Sequence, residues 1–136
     1  MEHVIRFRDS PPQVEVVTSG PADAAGFRAF IEAMFVDPRY RPGIAILLDH
    51  SELDMRPLSP GDVRAVADFV AEHDAEIGAG PCAAVQPTTL GFGFARMREL
   101  YNDGKVSLRL RVFRERDEAL AWLVSEAPET RPGPTG

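Results

Sequence analysis

Ile44-Ala45-Ile46-Leu47-Leu48 decides the class of this chain. The five residues are uniformly apolar, and the run is shorter than an ordinary helix. Such a segment reads as a central β-strand covered on both faces. Asp49 is expected to end it, with a loop over residues 50–58. Ser59-Pro60-Gly61-Asp62 then reads as a helix start. Serine is a preferred N-cap, proline suits the first helical position, and an acid in the first turn complements the helix dipole. Val63, Val66, Ala67 and Val70 line one face of that helix, and Gly78 to Pro81 is expected to end it.

Working back from the central strand, Phe27, Phe30, Ile31, Met34 and Phe35 recur at intervals of three and four. They predict an amphipathic helix over residues 22–36 that packs on a sheet. Asp37-Pro38 stops it, because the residue before a proline avoids helical angles. Earlier still, Val4, Ile5 and Phe7 and the run Val14–Thr18 flank the turn signal Asp9-Ser10-Pro11-Pro12, an N-terminal hairpin.

Working forward, Cys82-Ala83-Ala84-Val85 is a second buried strand, and Gln86-Pro87 turns the chain. Thr88 or Thr89 caps a third helix that carries Phe92, Phe94, Ala95, Met97, Leu100 and Tyr101 and stops at Asn102-Asp103-Gly104. Residues 108–113 begin with apolar/Arg alternation, as in a strand near the sheet edge with one wet face. A last helix is expected over Arg116–Val124, holding Ala119, Leu120, Trp122 and Leu123. The order β-β-α-β-α-β-α-β-α predicts one α/β domain over residues 1–124, with a mostly parallel sheet and an antiparallel N-terminal hairpin. Residues 125–136, rich in proline, are expected to be a mobile tail.

Composition narrows the function. The 136 residues carry a net charge of −6 and a single lysine, Lys105, which argues against a nucleic-acid partner. One cysteine, Cys82, forbids an intrachain disulfide and suits a reducing cytoplasm. The segment Met1–Asp9 lacks the apolar core of a signal peptide, and no apolar run is long enough to be a transmembrane segment.

The constellations that carry chemistry each lack a part. His3, His50 and His73 are scattered, with neither a His-x-x-x-His nor a Cys-x-x-Cys pair, so no metal or other cofactor is expected. Asp49-His50-Ser51 holds the residue types of a catalytic triad, but neighbours on an extended segment point to opposite sides. Gly91-Phe92-Gly93 follows a strand, yet Arg96 stands where a dinucleotide fingerprint needs its third glycine. The glycines then serve close packing of the helix on the sheet. The backbone N–H groups near Thr88 and Thr89, with Arg96 and Arg98 on the following turns, are a candidate anion site.

Gly80-Pro81-Cys82-Ala83-Ala84-Val85, Gly93-Phe94-Ala95-Arg96-Met97, Val112-Phe113 and Glu118-Ala119-Leu120-Ala121-Trp122-Leu123 together resemble the SpoIIAA-like branch of the STAS superfamily. The resemblance covers residues 2–124. It implies a sheet of four or five strands with helices packed on it. In bacterial anti-sigma-factor antagonists of that superfamily, a serine at the start of the helix after the central strand is phosphorylated by a partner kinase. Ser59 matches that position, though Pro57 stands where an acid is expected and helix capping accounts for the serine. The fold also resembles that of the CRAL-TRIO lipid carriers.

Two functions follow as expectations. The first is a non-enzymatic regulatory or protein-interaction module of STAS type, with Ser59, Ser51 and Asp49 at the partner surface and a homodimer compatible with its size. The second is a binder of a small apolar or acyl ligand among Phe27, Phe30, Phe92, Phe94 and Met97. An enzyme acting through Asp49, His50 and Arg96 requires those three side chains to share one ligand.

Overall fold

The structure, a computed structural model, describes residues 1–127. Its elements are β1 (Glu2–Asp9), β2 (Pro12–Pro21), α1 (Ala24–Val36), β3 (Ala45–Asp54), α2 (Pro60–Glu72), α3 (Asp74–Ile77), β4 (Pro81–Val85), α4 (Thr89–Asn102), β5 (Arg109–Phe113) and α5 (Arg116–Glu126). Ser125 and Glu126 thus still belong to α5, and the rest of the expected tail, from residue 128 on, lies outside the described residues.

The five strands lie in the sheet in chain order, β1-β2-β3-β4-β5. β1 and β2 pair antiparallel as the expected hairpin, and every later pairing is parallel. When parallel strands are added always on the same side, right-handed crossovers carry each connecting helix over the same face. α1, α2 and α4 accordingly share one face. There Phe30, Met34, Val66 and Val70 pack against Val14, Val16, Ile46 and Leu48. α5 follows the edge strand and takes the opposite face, with Ala119 and Leu123 on Leu47, Ala83 and Val85. Residues of alternate parity in β3 therefore serve two cores, which is why that strand reads as uniformly apolar.

β3 runs on past Asp49 to Asp54, farther than the sequence suggests. Its ladder with β4 ends at Asp49↔Val85, whereas its ladder with β2 continues to Pro21↔Asp54 across an irregularity between Val17 and Ser19. The end of the apolar run thus marks the end of two-sided pairing. The expected loop over 50–58 shrinks to the residues between Asp54 and Ser59.

α2 also ends earlier than expected, at Glu72, and the short α3 takes up the chain before Gly78. Gly78 has φ +80°, a left-handed conformation suited to glycine. The neighbouring Gly80 lies against the backbone of Gly43, and a Cβ there collides with the Gly43 carbonyl oxygen. This close approach holds the start of β4 beside the start of β3.

Candidate functional site

Between the sheet and the helices α1, α2 and α4 lies a cavity of about 30 Å³. Its walls are mostly apolar, with Phe27 from α1, Leu58 and Val63 around the start of α2, and Phe94 from α4. That volume suits one or two water-sized groups. A second cavity of about 20 Å³ lies among residues that include Phe30, Met34, Leu48 and Cys82. Arg98 lines both.

Three polar side chains enter this apolar space, His50, Gln86 and Arg98. His50 lies on the inward-facing side of β3, 3% exposed, with Nδ1 2.6 Å from Thr18 Oγ1. Burial, reinforced by the positive charge of Arg98, pushes the imidazole down to about 3, so the ring is neutral near pH 7. The expected loop at position 50 is therefore corrected, because the two-strand ladder carries His50 into the core. Gln86 follows β4, and its Nε2 lies 3.8 Å from Met55 Sδ. Gly91, on the first turns of α4, packs on this glutamine, and a Cβ at Gly91 collides with Gln86 Oε1. Close packing is thus the role of Gly91, whereas Gly93 faces open space.

Arg98 is buried on the inner face of α4, one turn after Phe94 and one turn before Asn102. Its Nε has no hydrogen-bond partner, and no described carboxylate lies within ion-pair distance of its guanidinium. The adjacent Glu99 instead faces Arg96, with 3.3 Å between Glu99 Oε1 and Arg96 Nε. Desolvation pulls the Arg98 pKa below its ordinary value. Asn102 Nδ2 donates to the Ala67 carbonyl at 2.9 Å and fastens the C-terminal end of α4 to α2.

The other candidate residues disperse. Thr88 Oγ1 caps α4 by accepting from Gly91 N at 3.0 Å, and Thr89 and Arg96 are exposed. Of the expected anion set, Thr88, Thr89, Arg96 and Arg98, only Arg98 is buried. Phe94 lines the cavity, while Phe92 lies under the Arg114 guanidinium, 4.6 Å from ring centroid to Cζ, and Met97 is only half-buried. Asp49 and Ser51 come together on the α5 side of the sheet. There Asp49 Oδ1 accepts from Ser51 N at 3.0 Å and Asp49 Oδ2 from Arg116 Nη1 at 2.7 Å. Those hydrogen bonds and the Arg116 charge outweigh partial burial and hold the Asp49 carboxyl below its usual range. Ser59, at the start of α2, belongs to the opposite layer. Asp49 and His50 thus face opposite sides of the sheet, and Arg96 lies on the outside of α4.

Sequence reasoning placed Arg98 among the cations that follow the α4 N-terminus but did not place it in the core. Its signal was positional. Gly91, Phe94, Ala95, Arg98 and Asn102 recur at three and four, so the inner stripe of α4 passes through an arginine.

Cys82 is buried in β4, and burial pushes its thiol up to about 12. Among the described residues, no group of three His, Cys, Asp or Glu is placed to hold a metal ion, and no helix is long and apolar enough to cross a membrane.

No family model matches the sequence, and no curated protein matches it. The architecture does match a solved structure. An uncharacterised protein from Shewanella loihica PV-4, described as a member of the DUF3478 family with a SpoIIAA-like fold, superposes with a TM-score of 0.58. The match covers 90% of this chain and 92% of that one, at 17% sequence identity. The mixed five-stranded sheet, its helices and this likeness give the chain a SpoIIAA-like fold.

Proposed function

We propose that this domain is a non-enzymatic regulatory module of STAS type, and that its input is a small apolar or acyl ligand taken up between α2 and α4. The observation that carries this reading is the apolar cavity at the carboxyl ends of β3 and β4, walled by three helices and the sheet. Open α/β sheets place their ligands at that end. The polar groups do not favour catalysis. His50 does meet a hydroxyl, that of Thr18, but Thr18 is fully buried and burial holds the imidazole at about 3, too weak a base to activate it, while Asp49 and Ser51 lie on the opposite side of the sheet. The unreactive state of Cys82 supports the same reading and suits a reducing cytoplasm.

Native mass spectrometry of the freshly purified full chain tests the proposal. The expected result is an added mass that disappears on denaturation, or that appears on addition of octanoate or 1-octanol. Val63→Ile adds one methylene to the cavity wall and is expected to reduce that uptake. A mass of the chain alone, unchanged by either compound, sinks the reading.

A second reading, docking of a protein partner over the β3–α2 connection, is favoured by the exposure of Ser59. A phosphate on Ser59 would sit beside the Asp62 carboxylate, and repulsion would open the first turn of α2.

A further inference from the structure

Arg98 presents a buried charge with no ion pair among the described residues, Glu99 acting on it only from beyond ion-pair distance. Its Nε is unpartnered, and the guanidinium has no ion pair with a described carboxylate. The two polar side chains that share its cavity, His50 and Gln86, bring no negative charge. A guanidinium in an apolar interior destabilises the fold unless an anion compensates it. Met or Leu at position 98 would fill the same space without that penalty. The arrangement therefore sacrifices stability at one point, on the wall of an internal space, with donor hydrogens ready for an acceptor.

We infer that Arg98 is the counter-ion for the anionic head of an amphiphile, a carboxylate or a phosphate monoester, whose apolar body lies among Phe27, Leu58, Val63 and Phe94. This rests on the reading above that the α2–α4 space takes an apolar ligand, and it adds the chemistry of the head. The planar guanidinium fork suits both head groups, because each offers two oxygens side by side. His50 and Gln86 supply neutral hydrogen-bonding groups beside the head. The cavity of about 30 Å³ takes a head group but not a chain, so entry of the body requires α4 to move away from α2. Asn102 fastens the far end of α4, which leaves the half carrying Gly91 and Phe94 as the part that swings.

Calorimetric titration of the full chain with octanoate, octyl phosphate, 1-octanol, acetate and inorganic phosphate tests the assignment. Octanoate or octyl phosphate is expected to bind the wild type more tightly than 1-octanol, and the tighter of the two identifies the head. Arg98→Met is expected to weaken that binding by about tenfold or more, the loss of a charge-assisted hydrogen bond. It should leave 1-octanol binding unchanged and raise the melting temperature of the free protein. Equal binding of octanoate by wild type and Arg98→Met overturns the counter-ion while leaving the apolar-ligand reading intact. Failure of all three octyl compounds to bind overturns both. Acetate or inorganic phosphate binding as tightly as the octyl compounds makes this a bare anion site and overturns the amphiphile. A lower melting temperature for Arg98→Met gives the arginine a structural role and counts against the proposal. Should that variant not fold, preference of the wild type for 1-octanol over both anions overturns it independently.

Discussion

His50 titrates where water barely reaches. The folded protein accepts its proton only near pH 3, against about 6.5 for the free imidazole. The unfolded chain therefore binds the proton first as the pH falls. The stability tied to the neutral ring is fully present above about pH 6.5 and is lost progressively toward pH 3. Lowering the pH from 7 to 4.5 is expected to cost about 2.5 kcal/mol through this residue. Urea unfolding at both pH values measures it. His50→Gln keeps a polar group near Thr18 but should lose that share of the pH dependence, and equal slopes for the two proteins contradict the assignment. Of the residues in this region, the divergence of Asp49, His50 and Ser51 was legible from alternation alone. The burial of Arg98 was not, because a charged residue on a helix ordinarily belongs to its wet face. Leu100, taken to accompany the apolar residues of α4, is instead 74% exposed.

Element boundaries were legible wherever a side chain close in sequence makes them. Ser59 and Asp62 complete a reciprocal capping box, with Asp62 N donating to Ser59 Oγ at 3.1 Å and Ser59 N to Asp62 Oδ2 at 2.9 Å. Thr88 does the corresponding work for α4. Ser59→Ala is expected to lower stability by about 1 kcal/mol, and Ser59→Asn to restore most of it. Chemical denaturation of the three proteins checks this. A neutral Ser59→Ala removes the cap as the reason for serine and strengthens the case for modification there. The end of β3 was not legible, because what stabilises Asp49 inside a strand is Arg116, 67 residues away in sequence. A carboxylate reads as a stop until its distant partner is known.

Across the whole molecule, Arg116 ties the two halves of the chain together. Its Nη2 donates to Glu15 Oε2 at 2.6 Å, while its Nη1 holds Asp49. Glu15 is 2% exposed and has, among the described residues, one other cationic partner, Arg8 at 3.2 Å. Arg116→Ala is expected to cost about 2–3 kcal/mol, somewhat below the full price of breaking a buried pair because Arg116 itself is 36% exposed. Adding Glu15→Gln to Arg116→Ala should recover part of the loss. Simple additivity of the two substitutions in thermal unfolding would count against the pair.

The strand order has a consequence for synthesis. Each strand of this sheet pairs with the strand made just before it, so no later segment must insert between two that have already joined. A chain leaving the ribosome from its N-terminus can lay down the sheet edge by edge and close each helix over the growing face. Among the described elements α5 alone arrives after all five strands, and until it docks, Leu47, Ala83 and Val85 stay open on the far side. The nascent chain is then most vulnerable to sticking to its neighbours at the last stage of assembly, when the sheet is complete but one of its faces is bare.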